Sequence, residues 1–252
     1  MRTSRTLLPL AIAVLLARAP RAGAAAFRDY GPASALRPVP MGSYGARAVV
    51  YEDSGVGVYV THVKSGVRRP LFRSRAATLS VALHLVRRRK TLHRLFRRGD
   101  LVYQDAGEIG GGWLIGGAKG GNKQDMLQIS YPPLLPQDLL ASAQRGQERR
   151  RGLFVSMASA RARLGAARSA AVLQGRAINA VLLNVRGAES FRNTSPGTLI
   201  VLPIDGRAAA RAGAASGTLY RRQILAVDRG ETLHVSPVGP GPVRVLLVWK
   251  ER

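Results

Sequence analysis

Apolar and polar residues alternate with a period of two along much of this chain. In residues 78–85, Leu79, Val81, Leu83 and Leu85 alternate with Thr78, Ser80, Ala82 and His84. That is the pattern of a strand with one face on a core and the other toward solvent. The same period recurs at 126–131, with Leu127 and Ile129 on one face, and at 177–186, with Val181, Leu183 and Val185 together. Residues 47–51 and 55–63 predict a hairpin turning near Asp53, Ser54 and Gly55. Further strands are expected at 101–104, 153–158, 170–174, 198–204, 232–235 and 243–249. Two helices are predicted. One spans 137–151 after Pro136, with Asp138 in its first turn and cations in its last, which suits the helix dipole. The other follows Asp205 and Gly206 over 207–227; Gly213 and Gly217 weaken it by about 1 kcal/mol each relative to Ala.

Each half therefore runs several strands, a Leu-Pro punctuation and a helix: YPPLLPQDLLASAQ in the first, LIVLPIDGRAAARAG in the second. This order predicts an internal duplication of a four-strand-plus-helix unit, with repeats at 47–151 and 152–252. A single irregular α+β domain is the alternative. Residues 27–46, rich in Pro, Gly and Ser, read as a linker. The glycine-rich stretch 107–124 does not match GxxxxGK[ST], because Lys119 precedes Gly120 and Gly121 is followed by Asn122. It reads as a hairpin with flexible basic loops carrying Lys119 and Lys123.

Charge then narrows the function. Lys and Arg total 39 against 14 Asp and Glu, a net +25 over 252 residues, the footprint of a polyanion partner. Lys64, Arg68, Arg69, Arg73, Arg75, Arg87 and Arg88 fall in a stretch with no acid before Asp100, and Arg161, Arg163 and Arg186 continue the set in the second half. Cysteine is absent, which excludes disulfides, a thiolate nucleophile and a Cys-ligated zinc site. Residues 1–26 carry Arg2, Arg5, Arg18 and Arg21, no acid, and a run of small residues. They read as a mitochondrial presequence, which places the chain in the mitochondrial matrix; a secretory signal peptide is the alternative. The apolar run 7–16 is too short to span a bilayer, and no other membrane segment is found.

No catalytic machinery stands out. His62, His84, His93 and His234 show no HExxH or paired metal spacing. Asp100, Asp105 and Glu108 read as turn formers and local ion pairs. No metal, cofactor, small-molecule substrate or enzymatic activity is therefore expected. Asn193-Thr194-Ser195 fits a glycosylation sequon that would matter only in a secreted chain. Only 6% of residues are aromatic. Tyr59, Phe72, Tyr103 and Trp113 could stack bases, but core or edge roles are the commoner use. Few stacking platforms favour a clamp on phosphates.

RSRAATLSV at 73–81 resembles the basic-x-basic-Ala-Ala strand motif of the Whirly single-stranded nucleic-acid-binding proteins. VYVTHVKSGVRRPLFRSRAATLS is similar to the kinetoplastid mitochondrial RNA-binding proteins, which share that fold. The likeness covers roughly residues 46–227. It implies an α+β Whirly-like fold of two tandem ββββα repeats, with antiparallel sheets and with helices packing in an oligomer core. It also implies a heterotetramer with a related paralogous chain, binding guide RNA and promoting its annealing to pre-edited mRNA in RNA editing and stability. Lys64, Arg68, Arg69, Arg73 and Arg75 would then face the RNA. A structural protein of the mitochondrial ribosome and an organellar single-stranded DNA-binding protein are the alternatives.

Overall fold

The computed structural model describes residues 25–30, 37–40, 45–63, 72–73, 75–83, 97–110, 124–134 and 152–251. Within them the chain is almost entirely β-structure. The first unit holds β2 (Arg37–Pro40), β3 (Gly45–Glu52), β4 (Gly57–Val63), β5 (Phe72–Arg73), β6 (Ala77–Ala82), β7 (Leu101–Gln104), β8 (Ile109–Gly110) and β9 (Gln124–Tyr131). The second holds β11 (Ser169–Leu173), β12 (Ile178–Val185), β13 (Glu189–Arg192), β14 (Leu199–Asp205), β15 (Arg207–Ala212), β16 (Ala215–Leu219), β17 (Gln223–Val227), β18 (Thr232–Val238) and β19 (Val243–Lys250). Two further strands precede the units, β1 (Ala26–Asp29) and β10 (Leu153–Val155), and α1 (Met157–Leu164) is the one helix among the described residues.

The two large sheets repeat one another. The first runs β10-β7-β6-β9-β4-β3-β2 and the second β1-β17-β14-β19-β12-β11, so β3, β4, β6, β7 and β9 take the places of β11, β12, β14, β17 and β19. The pair β5–β8 likewise matches β13–β18. Each unit's sheet is finished by a strand from ahead of the other unit: β10 pairs β7, and β1 pairs β17. This exchange covers one edge of each sheet, which would otherwise present unpaired backbone groups.

Strand alternation explains how the units meet. One face of the seven-stranded sheet carries Val58, Val60, Leu79, Leu101, Leu127 and Ile129; one face of the six-stranded sheet carries Ile178, Leu182, Ile200, Ile224, Leu246 and Val248. All twelve belong to one buried cluster, so the sheets pack face to face. Leu79, Leu127, Ile129, Ile200 and Leu246 are fully buried; each such side chain contributes roughly 1.5–3 kcal/mol of transfer free energy. Polar ties cross the same junction. The Tyr131 hydroxyl donates to the carbonyls of Thr198 at 3.0 Å and Val248 at 3.2 Å, and the Thr198 hydroxyl donates to Asp53 at 2.6 Å. Asp100 accepts from the backbone N–H of Met157 at 2.8 Å, capping the start of α1.

Several sequence expectations are corrected here. The units are not ββββα repeats. The helix expected at 207–227 is instead β15, β16 and β17. Along β15 Ala208, Ala210 and Ala212 are buried while Arg207 and Arg211 are exposed, and sheet pairing overrides alanine's helix preference. Gly213, at a φ of +51°, makes the turn into β16 that a helix could not contain. The helix expected at 137–151 lies outside the described residues. The strand expected at 153–158 stops at Val155 and gives way to α1. Strands β1, β2 and the start of β3 arise at the end of the Arg-rich segment and in the stretch 27–46 read as a linker. The hairpin at Asp53 and the strands at 101–104 and 243–249 are where the sequence places them. No described helix is long and apolar enough to cross a membrane.

Candidate functional site

The faces turned away from the unit–unit core differ between the two sheets. In the second unit this face carries Leu183, Val185, Leu199, Val201, Leu225, Val227, Val245 and Leu247, packed against Ala208, Ala210, Leu219, Leu233 and Val235 of the four-stranded sheet. The equivalent face of the first unit is largely buried as well, but beside Met126 and Val102 it carries polar side chains. Register fixes the comparison strand by strand. Gln128 stands where the second unit has Leu247, Ser80 where it has Val201, and Tyr59 where it has Val181. Likewise Thr61 matches Leu183, Thr78 matches Leu199, and Gln104 matches Val227. Arg47, opposite Thr61, takes the place of Ser169, opposite Leu183.

Arg47 is the centre of this face, with 1% of its surface exposed. Its Nη2 donates to Gln128 Oε1 at 2.7 Å and its Nε to Thr61 Oγ1 at 3.4 Å, and its guanidinium lies 5.2 Å from the centre of the Tyr59 ring. A buried charge requires such polar and π partners, since burying it unpaired costs several kcal/mol. Tyr59 is itself fixed. Its ring lies across Gly57, where any Cβ would strike it, and its hydroxyl donates to Glu52 at 3.1 Å while accepting from the Leu134 N–H at 3.0 Å. Burial, reinforced by the Glu52 charge, pushes the Tyr59 hydroxyl up to about 12 and keeps it protonated. Thr78 is fully buried, and its Oγ1 has no hydrogen-bond partner among the described residues. Gln104 and Ser130, its cross-strand neighbours, are also buried. The face thus offers donors around a fixed positive charge.

The residues singled out from sequence do not make this site. Lys64, Arg68, Arg69, Arg87, Arg88, Lys119 and Lys123 lie outside the described residues. Arg73 is in β5, and Arg75 is exposed just ahead of β6. Arg161, on α1, is bound to Asp205 at 2.7 Å, and Arg244 holds the same carboxylate at 3.0 Å. Arg163 is exposed and reaches the Ala171 carbonyl at 3.4 Å, and Arg186 is exposed just past β12. Over 78–82 the expected strand gives no solvent-facing sheet surface for RNA, because every residue of β6 except Ser80 is buried, and His84 and Leu85 lie outside the described residues. Tyr59 and Tyr103 are buried and stack on no outside base. Asn193 of the sequon is buried, its amide donating to the carbonyls of Gly197 and Val227, both at 2.9 Å. Arg47, Thr61 and Gln128 were missed, since isolated polar residues on strands read as solvent-facing. For Thr61 the signal was a comparison: GVYVTHV against INAVLLNV puts Thr61 where the sister strand has Leu183.

No protein-family model matches the sequence, and no curated protein is significantly similar to it. Solved structures do match. AerE from Microcystis aeruginosa superposes with a TM-score of 0.56 at 8% identity, covering 90% of this chain and 99% of that one. The oxalate decarboxylase of Bacillus subtilis, described for its Mn(II) centres, gives 0.52 at 11% identity, covering 87% and 76%. A cupin 2 conserved barrel domain protein from Leptotrichia buccalis gives 0.51 at 8%, covering 83% and 90%. The fold is therefore cupin-like, not Whirly-like. This overturns the expected kinship with kinetoplastid RNA-binding proteins and, with it, guide RNA, pre-edited mRNA and the heterotetramer with a paralogous chain as partners. Enzymes are among the neighbours, so the fold is one that can house catalysis. The expected absence of activity no longer follows.

A metal of the kind described for the Bacillus enzyme does not fit the described face. Nowhere among the described residues do three or more His, Cys, Asp or Glu side chains come together. The centre of the face is a guanidinium, which repels a divalent cation.

Proposed function

We propose that the polar face of the first unit binds a small carboxylate-bearing molecule and that the second unit serves as its structural partner. The observation that carries this reading is the exchange of buried Leu183, Leu199, Val227 and Leu247 for buried Thr61, Thr78, Gln104 and Gln128 at equivalent register positions of the two sheets. Sheet stability does not require that exchange, since Leu199, Val201 and Leu247 do the same packing without it. Arg47, held by Gln128, Thr61 and Tyr59, sets a fixed guanidinium charge on this face, and guanidinium is the side-chain cation suited to carboxylates. The Thr78 hydroxyl adds a donor that has no partner among the described residues. One structural neighbour is named for a dicarboxylate, oxalate, and this supports the ligand class. On this face Glu52 accepts a hydrogen bond from the Tyr59 hydroxyl, which burial keeps protonated, so the carboxylate serves to hold the ring; this favours binding over catalysis.

The test is calorimetric titration of the full chain with oxalate, formate and acetate in the presence of a chelator, at fixed ionic strength. Saturable binding of at least one carboxylate is expected, weakened about 10- to 100-fold by Arg47→Met, the value of a hydrogen bond to a charged group. Absence of binding to every carboxylate, or equal binding by the variant, refutes the reading.

A further inference from the structure

A second feature lies on the opposite end of the molecule, on the outward face of the four-stranded sheet β13-β18-β15-β16. Pairing sets one polar row across all four strands: Ser190 is opposite His234, His234 is opposite Arg211, and Arg211 is opposite Ser216. Beside this row the outward positions shrink to Ala188, Ala209 and Ser236, which leaves a cleft of about 190 Å³ lined by both sets. The Ser190 hydroxyl and His234 Nδ1 lie 2.8 Å apart, which fixes the imidazole and leaves Nε2 as its other polar edge.

The cleft is cationic. Arg211 is exposed and has no ion-pair partner among the described residues, and its cross-strand neighbour is a histidine. Arg192 and Arg207 add positive charge on the same outward face, and none of the four strands places a carboxylate there. Glu189, which borders the cleft, is neutralised by its ion pair with Arg168. Arginines gathered on one sheet face with no carboxylate among them favour an anionic partner. Hydroxyls, an imidazole N–H and a guanidinium fork on adjacent strands about 4.8 Å apart can together reach several oxygens of one tetrahedral anion.

We infer that this cleft is a binding site for the phosphate group of a small molecule, held between Arg211 and His234 and flanked by Ser190, Ser216 and Ser236. It is independent of the carboxylate face proposed for the first unit, with which it shares no residue.

The imidazole signals of His234, one of four histidines, report on the site directly and are assigned with His234→Gln. Titrating the labelled full chain with inorganic phosphate, against sodium chloride at equal ionic strength, is expected to shift them saturably at roughly millimolar phosphate. Arg211→Gln should weaken the response at least about tenfold, and Ser190→Ala by a few-fold. Arg163→Gln, which removes an exposed charge outside the cleft, should leave it unchanged. A shift that fails to saturate, that chloride reproduces, or that survives Arg211→Gln overturns the inference.

Discussion

The two units share strand order and register, but they use the same buried surface for opposite ends. In the second unit the face behind the core is leucine and valine closing on an alanine-lined sheet, and it stabilises by area alone. In the first, arginine, tyrosine, threonine and glutamine stand beside Met126 and Val102, and each buried polar group there needs a partner to offset its desolvation. A duplicated scaffold can carry this division, because the core between the sheets is common to both units and the other faces are free to diverge.

The sharpest way to break the comparison is to transplant one residue. Leu247→Gln puts the Gln128 side chain into the apolar unit, where no described polar neighbour awaits it. Loss of transfer energy plus a buried unpaired amide should cost about 3–5 kcal/mol in chemical denaturation. A cost under about 1 kcal/mol would mean that the second unit tolerates polarity, and the contrast would lose its meaning. Arg47→Met tests the first unit from the other side. Replacing Arg47 by an apolar side chain of similar length removes a buried charge but leaves the Gln128 and Thr61 acceptors unpaired. Stability should therefore fall by at most about 3 kcal/mol, while carboxylate binding falls about 10- to 100-fold. A larger loss of stability would identify Arg47 as a structural strut.

Thr78→Val is smaller and more diagnostic. The hydroxyl removed has no hydrogen-bond partner among the described residues, so unfolding should show no loss and up to about 1 kcal/mol of gain. Ligand affinity should drop a few-fold. The mildest effect concerns the junction both units share. Burial would raise the Asp53 carboxyl, but hydrogen bonds from Thr198, Gly55, Val56 and Tyr51 outweigh it and leave the group below its ordinary 3.8. A lowered folded value means that this contribution is complete above about 3.8 and is lost as pH falls through the folded value. Asp228, raised by burial and by the neighbouring Glu231 and Asp53, works in the opposite sense and favours the fold as acid protonates it. Asp53→Asn should therefore flatten the decline of stability below about pH 4, read from denaturation midpoints across pH; an unchanged acid limb would remove Asp53 from the account.

Much of the strand order was legible because period-two alternation needs no tertiary knowledge. The hairpin at Asp53 follows from its turn residues, whose carboxylate takes the N–H groups of Gly55 at 2.6 Å and Val56 at 2.8 Å. The site was not legible for the same reason that the strands were. Thr78 and Ser80 alternate with Leu79 and Val81 whether the polar side meets water or a second buried layer, and only burial separates the two cases. The alanine-rich 207–212 failed differently: helix propensity is a local quantity, and pairing of β15 with β16 and β18 outweighed it. The basic stretch suggested nucleic acid because net charge carries no information about fold.

The sequence by itself determined that this chain would be built from alternating strands, that it has no cysteine chemistry, and that it is strongly cationic. Tertiary structure decided what those strands enclose. Two sheets bury their apolar faces in each other, β1 and β10 cross over to close the partner sheets, and four strands bring Ser190, His234, Arg211 and Ser216 into one row from across some 45 residues. Which polar residues become a site depends on what covers them, and pairings between distant strands set that cover.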